Sequence, residues 1–322
     1  MRNSLHSGVR RGRSSLGSPT SKNGRTVTGA EVGPAPPIPP ETTVGWAEMV
    51  WRHGADPGAK LRWLGERLPT LRRPDVLESL VSPYVTSWGE RADVSAVLRS
   101  EARAHRLDAL HDEGLARIAA VYARTGWAWE AHRSFGVWHD SLIGGWNDYW
   151  SRRPMRLREV VERKGKGCRT VLVEPERAAR AIARVASAAW QDEEPYPDFI
   201  PAVIERGAQE GWARTYVLDS GIDVPAVQLW LIGGGRISLA KTWQDPEASP
   251  RNPGTVLTAC VIEQLSAEGA RVVDFGRGDD PHRQDWAAFR AQRWGVNARP
   301  VSSRRGIVIG LRRSMRWVAK HG

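Results

Sequence analysis

Cysteine is scarce: the 322 residues hold two, Cys168 and Cys260, far apart. That argues against a disulfide framework and for a reducing compartment. Long apolar runs are missing as well. No stretch approaches the roughly 20 apolar residues that a membrane-spanning helix needs. The basic N-terminal residues are not followed by the apolar segment of a secretory signal, so a cytoplasmic location is the expectation. Metal-ligand spacing is lacking too: His105, His111 and Asp112 follow no ligand pattern, and no metal is expected. Phenylalanine and tyrosine number only four and five against sixteen tryptophans. Scattered as they are, those tryptophans read as packing.

What is present allows two domains, at roughly 100–200 residues each, and the 41% hydrophobic content is enough for real cores. The net charge of +11 is unevenly spread, because residues 1–40 hold six Lys/Arg against Glu31 alone. A basic chain attracts nucleic acid, anionic lipid and phosphorylated small molecules alike. Residues 1–40 end in PAPPIPP and read as a disordered, basic, Pro-rich tail. Residues 41–150 form a first folded half, with helices expected over 44–51, 59–68, 94–105 and 115–124. Within Trp138-His139-Asp140, neighbouring strand residues point to opposite faces, so His139 and Asp140 should not meet. Residues 151–169 carry eight Lys/Arg against two Glu on a short helix with one apolar stripe. That patch suits cofactor phosphates, an RNA acceptor stem, or plain solvent.

From residue 169 the pattern is richer. A strand over Arg169–Val173 precedes Pro175, which suits a helix start. In that helix Ile182, Val185, Ala186 and Ala189 keep core spacing. After QDEEPYP a second helix is expected from an Asp198 cap to Gly211. Strands follow at 213–218 and 224–232, then a Gly233-Gly234-Gly235 turn and a strand over Arg236–Trp243. Pro246, Pro250 and Pro253 interrupt regular structure. A helix from Gly254 carries Val256, Leu257, Cys260, Val261 and Leu265, and a strand over Arg271–Phe275 ends in glycines. A helix over 286–294 and strands at 298–302 and 306–312 complete the expectation. A helix opening on a Pro-Gly turn presents unpaired N–H groups and partial positive charge, a seat for phosphate or carboxylate. An ordinary β-α-β corner without ligand is the plainer alternative.

This element order resembles a GNAT-superfamily acetyltransferase, in the FemAB-like, cellulose-biosynthesis-associated (CelD-like) branch. The residues that carry the resemblance are Arg156-Leu157-Arg158, Trp190, Lys241 in KTWQDP, Pro253-Gly254-Thr255, the run from Asp274 to Asp280 (DFGRGDD), and Trp286. It covers roughly 150–300 well and 45–150 loosely. The fold it implies is α+β: a GNAT-like mixed β-sheet flanked by helices, in tandem with a degenerate GNAT-like first half (41–150) before the acetyltransferase-like domain (151–322). It implies an acyl-CoA-dependent N-acyltransferase that takes acetyl-CoA or another acyl-CoA and acts on a small-molecule, sugar or peptide amine. A link to envelope or polysaccharide biosynthesis belongs to the same resemblance. FemAB-like relatives can instead draw aminoacyl groups from charged tRNA, which would make nucleic acid a donor; an inactive scaffold in polysaccharide synthesis is a third possibility.

The resemblance also assigns roles. Arg251, Pro253, Gly254, Thr255 and Val256 stand where the family's phosphate loop lies, with Val256 in place of its last small residue. A β-branched side chain there is expected to crowd a pyrophosphate. Where relatives read Gly-Asp-x-x-Tyr-Lys, this chain has Gly278-Asp279-Asp280-Pro281-His282-Arg283, and it has no tyrosine beyond Tyr216. His282 would replace that tyrosine as the acid, since its pKa range suits proton transfer near neutrality. Asp279 or Asp280 would take the acceptor's proton. Lys241 would bind an anionic acceptor or the donor phosphates. Trp190, Asp192, Glu193, Asp274 and Trp286 would line the acceptor side. All of this requires 236–243 and 271–275 to be neighbouring strands that part beside the helix tip.

Overall fold

The computed structural model describes residues 27–29, 40, 43–64, 68–80, 88, 93–187, 196–278, 280 and 282–311. In chain order these form β1 (Val27–Gly29), α1 (Val44–His53), β2 (Lys60–Leu64), β3 (Leu68–Arg72), β4 (Val76–Ser79), β5 (Ala104–Leu110), α2 (Asp112–Arg124) and β6 (Trp127–Ser141). Then come α3 (Gly145–Ser151), α4 (Met155–Lys164), β7 (Arg169–Val173), α5 (Pro175–Ser187), α6 (Phe199–Gln209), β8 (Ala213–Asp219), β9 (Ala226–Gly233) and β10 (Arg236–Gln244). The last are α7 (Pro253–Ala267), β11 (Val272–Arg277), α8 (His282–Trp286) and β12 (Phe289–Pro300), and a helix over 304–311, α9.

All the described strands join one mixed α+β sheet, in the order β1-β7-β8-β9-β10-β11-β6-β12-β5-β4-β3-β2. Its helices cover both faces. On one face α1, α5 and α6 bury Trp46, Phe199, Trp212, Val217 and Trp243. On the other, α3, α4 and α7 bury Tyr149, Leu157, Trp230, Leu257 and Val261. A third cluster lies under α2, around Leu107, Ile118, Tyr122 and Val296. Every residue of β9 is buried, which is why AVQLWLIG reads as a nearly unbroken apolar run rather than an alternating one.

Several expectations need correction. Within the expected helix at 59–68, the described residues 60–64 and 68 are strand instead: β2 pairs with β3 from Lys60↔Arg72 to Leu64↔Leu68, and Leu61 and Trp63 alternate with Lys60 and Arg62 at the strand period. Residues 94–105 split into a 3-10 helix over Val94–Arg99 and the start of β5. The helix near 286–294 closes at Trp286. From Phe289 the chain enters β12, because it fills the slot between β5 and β6 and pairs with both. The expected strand at 306–312 is the helix α9, begun by Ser303, whose Oγ accepts the Gly306 N–H at 3.0 Å. Val27–Gly29, inside the stretch expected to have no fold, pairs in parallel with β7.

The halves are also interleaved. Trp46 of α1 packs edge-on against Phe199 at 6.0 Å and Trp212 at 5.6 Å, both beyond residue 150. β12 returns to β5 and β6 of the earlier half. At the seam, Asp140 and His139 do point apart. Asp140 is buried and accepts from Arg152 at 2.8 Å, Arg153 at 2.6 Å and the Ala288 N–H at 3.0 Å. Burial by itself would raise its pKa, but the Arg152 hydrogen bond and the Arg153 charge outweigh that and hold the carboxyl below its ordinary range. It is a structural clamp between β6 and the α3–α4 corner.

Candidate active site

β10 and β11 run parallel, but they pair only through Arg236↔Val272, Ile237↔Val273 and Ser238↔Asp274. Past that point β10 continues with β9 and β11 with β6. Two irregularities turn the strands apart. In β10 the register against β9 shifts between Leu239 and Lys241, which leaves Ala240 as an extra residue. In β11 the register against β6 shifts between Asp274 and Arg277. There Gly276 takes φ +72° with its Cβ position 3.6 Å from the Leu239 carbonyl, a left-handed conformation open to glycine and strained for most side chains. The Asp274 Oδ1 accepts the Gly276 N–H at 2.7 Å and stabilises the bend. We call the place where the two strands stop pairing, at Ser238↔Asp274, the wedge.

α7 begins beside this wedge. Asn252 holds a left-handed backbone (φ 52°) and contributes no side-chain cap, and Pro253 occupies the first turn. The first N–H groups of a helix have no intrahelical acceptor, and they carry the positive end of the dipole. The turn is held from below. The Gly254 carbonyl accepts from Gln228 Nε2 at 3.1 Å and Thr258 Oγ1 at 2.8 Å, while Gln228 Oε1 accepts from Trp230 Nε1 at 3.0 Å. A Cβ at Gly254 would meet the Gln244 amide at 2.8 Å and the Thr242 methyl at 3.4 Å, so a larger residue there would have to displace the Gln244 side chain.

The bulge at Ala240 also reverses which side chains face which way. Ile237 and Leu239 lie toward α7, whereas Trp243 joins the α1–α5–α6 core with Lys241 Nζ 5.6 Å from its ring centroid. Lys241 and Trp243 thus form the floor of a cavity of about 940 Å³ between α5 and α6. Its walls include Ile182, Ile200 and Ile204, and three carboxylates, Glu174, Glu176 and Glu205, stand around it.

The expected site residues are distributed as follows. Pro253, Gly254 and Thr255 lie at the α7 tip. Arg251 is exposed and paired with Asp223 at 3.0 Å. Val256 does not crowd the wedge as expected: its side chain is 1% exposed, packed in the α7-side core, because helical rotation turns it inward. Trp286 is likewise core, 6.0 Å from Phe275 and 6.1 Å from Trp150, with its carbonyl accepting the Tyr149 hydroxyl at 2.7 Å. Asp274 is 2% exposed, engaged with Gly276 and 3.8 Å from Arg236. Asp280 Oδ1 accepts the His282 N–H at 2.9 Å at the start of α8, just beyond β11, with His282 exposed. Asp279, Trp190, Asp192 and Glu193 lie outside the described residues. Glu174, Glu176 and Glu205 were missed by the sequence reading. The signal available was that Glu174 and Glu176 flank Pro175 at the mouth of a helix next to Lys241's strand, whereas Glu205 faces the cavity only because α6 packs beside α5.

Residues 151–284 match the family described as "Acetyltransferase (GNAT) domain". This stretch is a GNAT acyltransferase domain. It contains the wedge, the α7 tip and the cavity, and ends before β12. No curated protein matches the sequence. Among solved structures, "Crystal structure of FemX" aligns with 79% of this chain and 91% of its own at 11% identity and TM-score 0.59. The C-terminal domain (DUF2156) of a putative lysylphosphatidylglycerol synthetase from Agrobacterium fabrum covers 83% and 90% at 11% identity and TM-score 0.54. L-PGS from Bacillus licheniformis covers 90% and 99% at 12% identity and TM-score 0.50. At these identities the likeness is one of fold, and it extends over both halves. In the GNAT domain β10 and β11 are neighbours in the sheet, whereas in the first half β12 lies between β5 and β6.

Proposed function

We infer that the protein transfers an acyl group from an acyl-CoA to an amine, with the donor in the β10–β11 wedge and the amine entering from the α5–α6 cavity. The observation that carries this is the end of the parallel ladder at Ser238↔Asp274 beside the uncapped tip of α7. A pantetheine arm can complete the exposed edge of β10 after the ladder stops, and the N–H groups around Gly254 and Thr255 suit its pyrophosphate. Lys241 faces the cavity rather than α7, which favours a role toward the acceptor over one toward the donor phosphates. The three surrounding glutamates favour an acceptor that carries positive charge along with its reacting amine.

In the reaction the neutral amine nitrogen attacks the thioester carbonyl carbon. The C–N bond forms, the C–S bond breaks, and one N–H proton ends on the departing thiolate. His282 is the proposed acid for the thiolate, and Asp280 or Asp279 the proposed route for the proton, directly or through water. Asp280 Oδ1 accepts the His282 N–H, which leaves Oδ2 to take the proton. A FemAB-like donor, aminoacyl-tRNA, is the second reading, favoured by the exposed Arg156, Arg163 and Lys166 on and after α4. The polysaccharide-linked setting of the CelD-like branch accompanies either donor.

Calorimetric titration of acetyl-CoA, longer acyl-CoAs and bulk tRNA tests the choice. Acyl-CoA should bind, and Thr255→Glu should weaken it at least tenfold while leaving the melting temperature equal or higher, since a carboxylate suits a helix N-terminus but repels phosphate. Lys241→Met should leave donor affinity within about twofold, because Lys241 is on the other face. Heat only with tRNA, falling steeply with salt, would establish the aminoacyl donor instead. No binding of either would leave the scaffold reading.

A further inference from the structure

A second cavity, of about 300 Å³, opens on the first-half side of the sheet, where the α1–β2 turn meets β3, β4, β5 and β12. It shares no wall residue with the α5–α6 cavity: Tyr196 lines this one and its neighbour Pro197 the other. Its size is at the small end for ligand pockets, which suits a molecule as small as an amino acid rather than a coenzyme.

The charged groups around this space are unequally engaged. Arg73 donates to Asp56 at 2.6 Å and to Glu78 at 3.0 Å, so these three hold one another. Arg106 reaches only Glu78, at 3.4 Å, and its side chain is 57% exposed. Its guanidinium therefore keeps most of its five N–H donors. Asp108 is its negative counterpart. Its Oδ1 accepts the Ala109 N–H at 2.7 Å, while Oδ2 has no hydrogen-bond or ion-pair partner among the described residues. The Arg277 charge acts on Asp108 from farther away. Arg106 and Asp108 lie two residues apart on β5 and line the same cavity, yet they do not pair with each other. Asn297, opposite Arg106 in the β12–β5 ladder, lines it too, and its amide has no side-chain hydrogen bond among the described residues.

The backbone explains why the two charges stay apart. β5 carries one extra residue against β12 between Leu107↔Val296 and Leu110↔Trp294. Ala109 takes a left-handed φ of 59° there, a conformation uncommon for any residue but glycine. The Asp108 N–H goes to Ser79 Oγ at 2.8 Å. Held at its amide and at Oδ1, the carboxylate is fixed before a ligand arrives, which lowers the entropic cost of binding.

We propose that this cavity binds a free α-amino acid, its ammonium on Asp108 Oδ2 and its carboxylate on Arg106 and the Asn297 amide. A zwitterion joins two opposite charges that the strand keeps side by side and unpaired. A simple cation or a simple anion would engage one of them and leave the other. This binding is independent of acyl transfer in the other half.

The test is a ligand-observed NMR titration of the full chain with L-alanine, L-lysine and L-glutamate, against ethylamine and propionate as single-charge fragments. At least one of the amino acids should bind at millimolar concentration or tighter, and at least tenfold more tightly than either fragment. Asp108→Asn, which keeps an oxygen for the Ala109 N–H, should weaken that binding at least tenfold, as should Arg106→Gln. Lys241→Met, in the other cavity, should leave it unchanged. Should Asp108→Asn melt early, Arg106→Gln at its exposed position decides alone. Three results would overturn the proposal: no binding by any of the amino acids, equal binding by a fragment, or binding lost in Lys241→Met but kept in Arg106→Gln.

Discussion

His105 shows how far a single residue's role depends on its surroundings. Both its ring nitrogens have partners: Tyr122 Oη lies 2.7 Å from Nδ1 and Ser100 Oγ 3.1 Å from Nε2. The Ser100 hydroxyl proton goes to the Val97 carbonyl at 2.7 Å, so Ser100 accepts from Nε2–H, and Nδ1 accepts from Tyr122. This places a neutral imidazole stacked on Trp127 at 4.2 Å. Burial, with Arg72 adding to it, lowers the His105 pKa to about 4. The unfolded chain takes up a proton near pH 6.5 that the folded chain refuses until about pH 4. The neutral ring's contribution is therefore complete above pH 6.5 and is lost as pH falls from there to about 4, a change on the order of 3 kcal/mol. Denaturant titrations at pH 7.5 and 4.5 should show that loss in the native protein, and a smaller one in His105→Phe. An equal loss in both would mean the histidine is not buried neutral. From sequence, His105 was a polar residue without ligand spacing; its bonding depends on Ser100, Tyr122 and Trp127 converging in the fold.

At the scale of elements, the wedge rests on two bends. The elements themselves were legible: the helical spacing of Val256, Leu257, Val261 and Leu265, the Pro-Gly start and the glycines after Phe275 placed β10, α7 and β11 within a few residues of where they lie. The bends were less so. Gly276 announces one, but nothing in Leu239-Ala240-Lys241 marks a bulge, and without it Lys241 cannot be assigned to a face. The same gap in information made Val256 look like an obstruction when helical rotation buries it. Gly276→Val should strain the left-handed residue, costing about 1–3 kcal/mol, and should weaken donor binding, measured as a drop in melting temperature together with a raised dissociation constant. A melting temperature unchanged by this substitution would show that β11 does not need the bend.

Across the whole molecule, the domain expected over 151–322 depends on residues before it. β6 covers the edge of β11, α1 completes the core under α6, and Asp140 neutralises the buried Arg153. Long-range pairing of this kind has no local signature, which is why β12 was read as a helix followed by short strands: its partners, β5 and β6, lie more than 140 residues earlier. A fragment of residues 151–322 should therefore fail to fold cooperatively, leaving a strand edge and an apolar face uncovered. A sharp melting transition in that fragment would show instead that the GNAT domain is autonomous.

Amide hydrogen exchange, with and without saturating acetyl-CoA, tests the central claim most directly. Donor lodged in the wedge should slow exchange at residues 239–244 of β10 and in the first turn of α7, around Gly254 and Thr255, with little change in β2–β4. Unchanged exchange in both of those segments, or protection confined to the first half, would contradict a donor site between β10 and β11.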